Sequence, residues 1–157
     1  MDGIVLLRED HKTVEKLFKE FERAGDDARS RKREIADEVI RELTAHTWIE
    51  EQVFYPAARE AAPDTVDHVL ESVEEHHAVL WMLSELEDLD PEDERFDAKM
   101  TVLMENVRHH VEEEENDWFP DVRKAMGRNR LVALGERMAE ERKNAPSSPL
   151  KVPSADS

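Results

Sequence analysis

Apolar residues recur at steps of three and four along most of the chain, the period of helices with one buried face. Val14, Leu17, Phe18 and Phe21 mark a first helix from about Arg8 to Ala24, which Gly25-Asp26-Asp27 breaks. Ile35, Val39, Leu43, His46, Glu50 and Val53 follow one stripe of a second, from about Arg31 to Ala61. Its interior Pro56 predicts a kink, because proline removes a backbone hydrogen bond. Val69, Val73, His76, Leu80, Leu83 and Leu86 trace a third helix over about Thr65 to Leu89. Phe96, Met100, Leu103, Val107, His110 and Glu114 trace a fourth from about Phe96 to Met126, where Pro120 repeats the problem of Pro56 and Gly127 closes the helix. A shorter fifth fits Asn129 to Lys143.

Short connections between four long amphipathic helices predict an all-α, up-down-up-down four-helix bundle. The expected division is residues 1–126 for the bundle, 127–143 for an additional C-terminal helix and 144–157 for a tail. The tail is rich in Pro and Ser and lacks the apolar groups to repay its ordering, so it is expected to be flexible. The pattern leaves open whether the fifth helix lies across one end of the bundle or docks on a partner chain.

Composition narrows the function. The 157 residues include 39 Asp and Glu against 22 Lys and Arg, a net charge of −17. That sign repels phosphate backbones, so neither nucleic acid nor an anionic membrane is an expected partner. With no cysteine, disulfides, thiolate chemistry, zinc fingers and iron–sulfur clusters are excluded. No apolar run approaches the ~18 residues of a membrane span. The opening MDGIVLLRED has an acid at position 2 and a short apolar run, unlike a signal peptide, and the expected location is the cytoplasm.

The seven histidines carry the chemistry, and an internal repeat sorts them. DHKTVEKLFKEFE from Asp10 aligns with EHHAVLWMLSELE from Glu75, setting His11 over His76. HTWIEEQVFYP from His46 aligns with HVEEEENDWFP from His110, setting Glu50 over Glu114, Glu51 over Glu115, Tyr55 over Phe119 and Pro56 over Pro120. The offsets, 76 − 11 = 65 and 110 − 46 = 64, are nearly equal, as expected of one helix pair used twice. The same register pairs His77 with Lys12 and His109 with Ala45, and leaves His68 without a counterpart. Those three are expected at the surface or behind the site.

His46–Glu50 and His110–Glu114 are i, i+4 pairs, each on one helix face. Each half thus offers a histidine from its first helix and a His-x-x-x-Glu pair from its second. Four imidazoles and two carboxylates are therefore expected to point into one core, where unpaired charge is costly and such groups are usually paired or metal-bound. Mixed nitrogen and oxygen donors suit iron or manganese, and bridging carboxylates suit a pair of ions; zinc and copper also accept these ligands. The acidic run Glu112 to Glu115 is expected to be a solvated face with only Glu114 in register. Trp48, Trp81 and Trp118 are expected in the core or at helix interfaces. Tyr55, nine residues after His46, falls on the opposite face of a straight helix, although Pro56 can alter that.

Asp10-His11, then His46 with Glu50-Glu51 and Pro56, then Glu75-His76, then His109-His110 with Glu114-Glu115 and Pro120, resembles the hemerythrin-like HHE cation-binding domain over about residues 8–125. The extra helix and tail are similar to those of actinobacterial hemerythrin-like proteins. The resemblance implies a non-haem di-iron cofactor, two iron ions with an oxo or hydroxo bridge. It implies His11 and His46 on one iron, His76 and His110 on the other, and Glu50 and Glu114 bridging. The chain departs from the oxygen carriers at Ser72, where they have a fifth histidine. An open position favours reaction over reversible carriage.

The expected function is handling of O2, hydrogen peroxide or nitric oxide in oxidative or nitrosative stress defence, with catalase-like turnover. The chain is expected to act as a monomer or weak homodimer. The alternative is an O2 or iron sensor or store without turnover. A ferritin-like oxidase would need two Glu-x-x-His motifs, and only Glu74-His77 is present.

Overall fold

A computed structural model describes residues 1–151, and no strand occurs among them. Helix α1 spans Gly3–Arg23 and α2 Arg29–Ile49. A π-helical turn, Glu50–Phe54, joins α2 without a break to α3, Tyr55–Ala61. Helix α4 spans Val66–Glu87 and α5 Arg95–Glu113; a second π-turn, Glu114–Trp118, leads into α6, Phe119–Met126. Helix α7 covers Arg128–Glu141. Read as rods, these are the four helices of the bundle and a fifth.

The first helix begins five residues before the periodicity places it. Asp2 caps it, accepting from the Val5 N–H at 2.8 Å, and Ile4, Leu6 and Leu7 are buried. The prolines do not break their rods. The Tyr55 N–H reaches back five residues to the Glu50 carbonyl, and the Phe119 N–H does the same to Glu114. The wider turn relieves the clash between each proline ring and the carbonyl four residues earlier. It also rotates the residues that follow, which decides where Tyr55 points. At the far end of α6, Gly127 adopts φ +78°, closing the helix as expected.

Two apolar clusters fill the bundle. Phe18, Ile35, Leu83, Phe96, Met100 and Leu103 anchor one. Ile4, Ile49, Phe54, Trp118, Val122 and Leu131 anchor the other. Trp118 is in the core and Trp48 reaches Glu141 of α7 at 3.1 Å, but Trp81 departs from the expectation, 61% exposed on the outer face of α4.

The fifth helix lies on this chain's own bundle, packed on α1, on the Glu50–Phe54 turn and on α6. Its backbone nearly touches the chain start: a Cβ on Gly135 would strike the Met1 carbonyl oxygen and stand 2.8 Å from the Asp2 carbonyl carbon. Gly135→Val is therefore expected to push α7 outward and lower Tm by on the order of 5 °C. An unchanged thermal transition would contradict this packing. Part of the expected tail is packed against α4, with Pro149 buried and the Ser148 hydroxyl 3.3 Å from Glu87 Oε1. The rest, residues 152–157, lies outside the described residues. No helix among the described residues is long and apolar enough to cross a membrane.

Candidate metal centre

Between the apolar clusters lies a polar layer. His11 of α1, His46 of α2, His76 of α4 and His110 of α5 converge there with Glu50 and Glu114, the first residues of the two π-turns. All six are buried. The His11 and His46 rings lie 5.0 Å apart between centroids, and those of His76 and His110 5.1 Å.

Each carboxylate stands between the two histidine pairs. Glu50 Oε1 is 2.9 Å from His46 Nε2 and 3.2 Å from His76 Nε2. Glu114 Oε1 is 3.3 Å from His11 Nε2 and 3.4 Å from His110 Nε2. Short as these separations are, Nε2 of His11 and of His46, both oxygens of Glu50 and Oε1 of Glu114 have no aligned hydrogen-bond partner. Buried polar atoms are normally satisfied, so these donors point at shared space rather than at each other. Donor atoms of His11, His46 and Glu114 lie within 4.8 Å of one another, as do those of Glu50, His76 and His110. Cations at metal–ligand distances of ~2.0–2.2 Å fit such groups.

A second ring of carboxylates holds the outer ring nitrogens. His46 Nδ1 donates to Asp10 at 2.9 Å, His110 Nδ1 to Glu75 at 2.8 Å and His11 Nδ1 to Glu115 at 2.6 Å. Glu51 is 3.8 Å from His76 Nδ1, too far for a hydrogen bond. Such partners fix the tautomer and aim Nε2 inward. Glu115 thus departs from the expectation of a solvated acidic face. Asp10, Glu75 and Glu115 were visible as the residues beside the histidines and in the Glu-Glu doublets, but α-helical period alone gave them no role. Arg142, just beyond α7, had no sequence signal. Its guanidinium holds both Asp10 oxygens at 2.6 and 2.7 Å, tying the fifth helix to His46. Glu75, the counterpart of Asp10, makes no such pair among the described residues.

Tyr55 faces the centre because the π-turn rotates it there. Its hydroxyl donates to Glu114 Oε2 at 2.8 Å and lies 3.2 Å from His76 Nε2. Its ring stacks on His76, as Phe119 stacks on His11 in the other half. The hydroxyl is therefore the asymmetric feature of an otherwise repeated pair. Burial, with the Glu114 and Glu50 charges beside it, holds the phenol proton well above its ordinary pKa. Ser72, also buried, shares that corner. His77 and His109 point away, their side chains 38% and 67% exposed and paired with Glu74 and Glu113. His68 stacks on Trp118, 4.6 Å between centroids.

A sequence model of the hemerythrin HHE cation-binding domain matches residues 2–122. The chain belongs to this family. The match ends within α6 and leaves α7 outside it. Its fold resembles the crystal structure of a hemerythrin HHE cation-binding domain-containing protein from Mycobacterium kansasii, with a TM-score of 0.78 and 24% identity over 92% of this chain and 86% of that one. A DNA nickase from Nostoc sp. is 27% identical over 118 residues, 75% of this chain. The match spans only 32% of that relative's length.

Without a cation, the surrounding carboxylates favour protons on the imidazoles. Burial opposes the charge on His46, but Glu50 and Asp10 outweigh it and raise its pKa to about 10. His11, His76 and His110 are raised for the same reason, burial being outweighed by the carboxylates around them. A cation must displace those protons. Metal uptake in weak buffer is expected to acidify the solution, and apparent affinity to rise with pH until His46 loses its proton near pH 10. Uptake without proton release would contradict the assignment of the imidazoles as ligands.

Proposed function

We propose that this hemerythrin-family domain holds two iron ions and uses them to process O2, hydrogen peroxide or nitric oxide, with peroxide the favoured substrate. The observation that carries the reading is the placement of each buried carboxylate between two histidine pairs, the arrangement a two-ion site requires. His11 and His46 would hold one ion, His76 and His110 the other, with Glu50 and Glu114 shared. Iron supplies electron transfer and Lewis acidity at such a site. The chain's part is to aim the imidazoles through Asp10, Glu75 and Glu115, to exclude bulk water and to keep a proton on Tyr55 beside Glu114.

Ser72 and Tyr55 favour reaction over carriage. With a small hydroxyl at 72, one neutral ligand of the oxygen carriers is absent, and a phenol that donates a hydrogen bond stands in the same corner. The nickase activity named for the Nostoc relative is not favoured here, since a charge of −17 repels DNA. Oxygen evolution from hydrogen peroxide tests the reading. Iron-loaded protein is expected to exceed free iron per metal atom, and the Ser72→His, Tyr55→Phe pair, which restores a fifth imidazole, to lower that turnover. Reversible O2 binding with no turnover above free iron would instead make the domain a carrier or sensor.

A further inference from the structure

A cavity of about 230 Å3 opens over the histidine layer, on the side away from Tyr55 and Phe119. His11, His46, His76 and His110 form its floor, and Val14, Phe18, Leu43, Val79, Val107 and Val111 its walls. At the mouth, Arg108 is held by Glu15 and Glu22, both at 3.0 Å, with its guanidinium 5.5 Å from the Phe18 ring centre.

Two ions and their bridge would take the part beside the imidazoles, and hydrogen peroxide, O2 and nitric oxide do not need the rest. Each is of the order of a water molecule, roughly 30 Å3, whereas an apolar cavity of ~150 Å3 already takes a benzene-sized molecule. The walls offer hydrocarbon and the floor offers donors. Glu112 and Glu115 also line the cavity, alongside Glu15, so an anion is repelled despite Arg108. The fitting occupant is neutral, with an aliphatic body and an oxygen head.

We propose that this cavity binds the aliphatic part of a neutral alkyl hydroperoxide of about four to six carbons, with its oxygen end toward the histidines. The proposal rests on the di-iron peroxide reading and names a substrate class for that centre, approached from the face opposite the Ser72 and Tyr55 corner. Reduction of ROOH to ROH and water breaks the O–O bond and takes two electrons and two protons. Two ferrous ions would supply the electrons and become ferric, and solvent would supply the protons.

The test has a binding arm and a reaction arm. In the first, 1-alkanols from ethanol to 1-hexanol are titrated calorimetrically into the full-length iron-loaded protein in its resting oxidised state. Each added methylene is expected to strengthen binding about fourfold until the cavity fills. Val79→Phe and Val107→Phe, each checked for native helicity, are expected to abolish 1-pentanol binding by filling the space. A series flat in chain length, or unaffected binding in both folded variants, overturns the proposal. In the second arm, anaerobic ferrous protein meets tert-butyl hydroperoxide or hydrogen peroxide. Oxidation by the former is expected to be at least tenfold slower in Val79→Phe than in wild type. Reaction with hydrogen peroxide but not with the alkyl hydroperoxide overturns this proposal alone, whereas failure of both overturns the peroxide reading beneath it.

Discussion

If the centre holds two ions as proposed, Glu50→Ala is expected to cost both rather than one. Glu50 Oε1 stands 2.9 Å from His46 Nε2 and 3.2 Å from His76 Nε2, so one carboxylate serves both histidine pairs. It is also fully buried, and its negative charge is part of what makes a cation favourable there. Losing it removes one charge and a ligand that both halves share. Metal content at equilibrium with a chelator is expected to fall for both ions, with affinity down by more than about a hundredfold, beyond the usual effect of losing an outer partner. Glu114→Ala should behave alike. Glu51→Ala serves as the control, since Glu51 only stands 3.8 Å behind His76. If Glu50→Ala folds poorly, Glu50→Gln retains the shape without the charge. Equal metal retention in folded Glu50→Gln and Glu51→Ala would contradict the shared-carboxylate assignment.

His46→Ala and His110→Ala are expected to lose most of their metal, while His77→Ala and His109→Ala keep theirs. The first two rings sit in the buried layer with Nδ1 anchored by Asp10 and Glu75. The others are turned outward, beside Glu74 and Glu113. Adjacent histidines differ by about 100° around a helix, so this comparison reads the register directly. Elemental analysis of the four purified variants, matched for helicity, measures it. Loss of metal in His77→Ala with retention in His76→Ala would place α4 one residue out of register.

The bundle and its polar layer were legible because burial leaves a period. His11, His46, Glu50, His76, His110 and Glu114 each continue an apolar stripe, and the repeat chose between neighbouring histidines. What the sequence hid depends on departures from that period. Tyr55 lies on the wrong face of a straight helix, and only the π-turn ahead of Pro56 brings its hydroxyl within 2.8 Å of Glu114. Glu115 sits in an acidic run whose pattern is the same whether it faces water or His11. The cap at Asp2 is short-range and readable in principle, but Gly3 beside it weakens the helical signal. Arg142 meets Asp10 across 132 residues of chain, a contact no local pattern encodes.

Metal stoichiometry joined to optical spectroscopy tests the central claim most directly. Protein purified under iron-replete conditions is analysed for all transition metals and its absorption recorded in the oxidised state. Two irons per chain, with charge-transfer absorption in the near ultraviolet from an oxygen bridge, is the predicted result. One metal per chain in a saturated sample, or zinc alone, would contradict it.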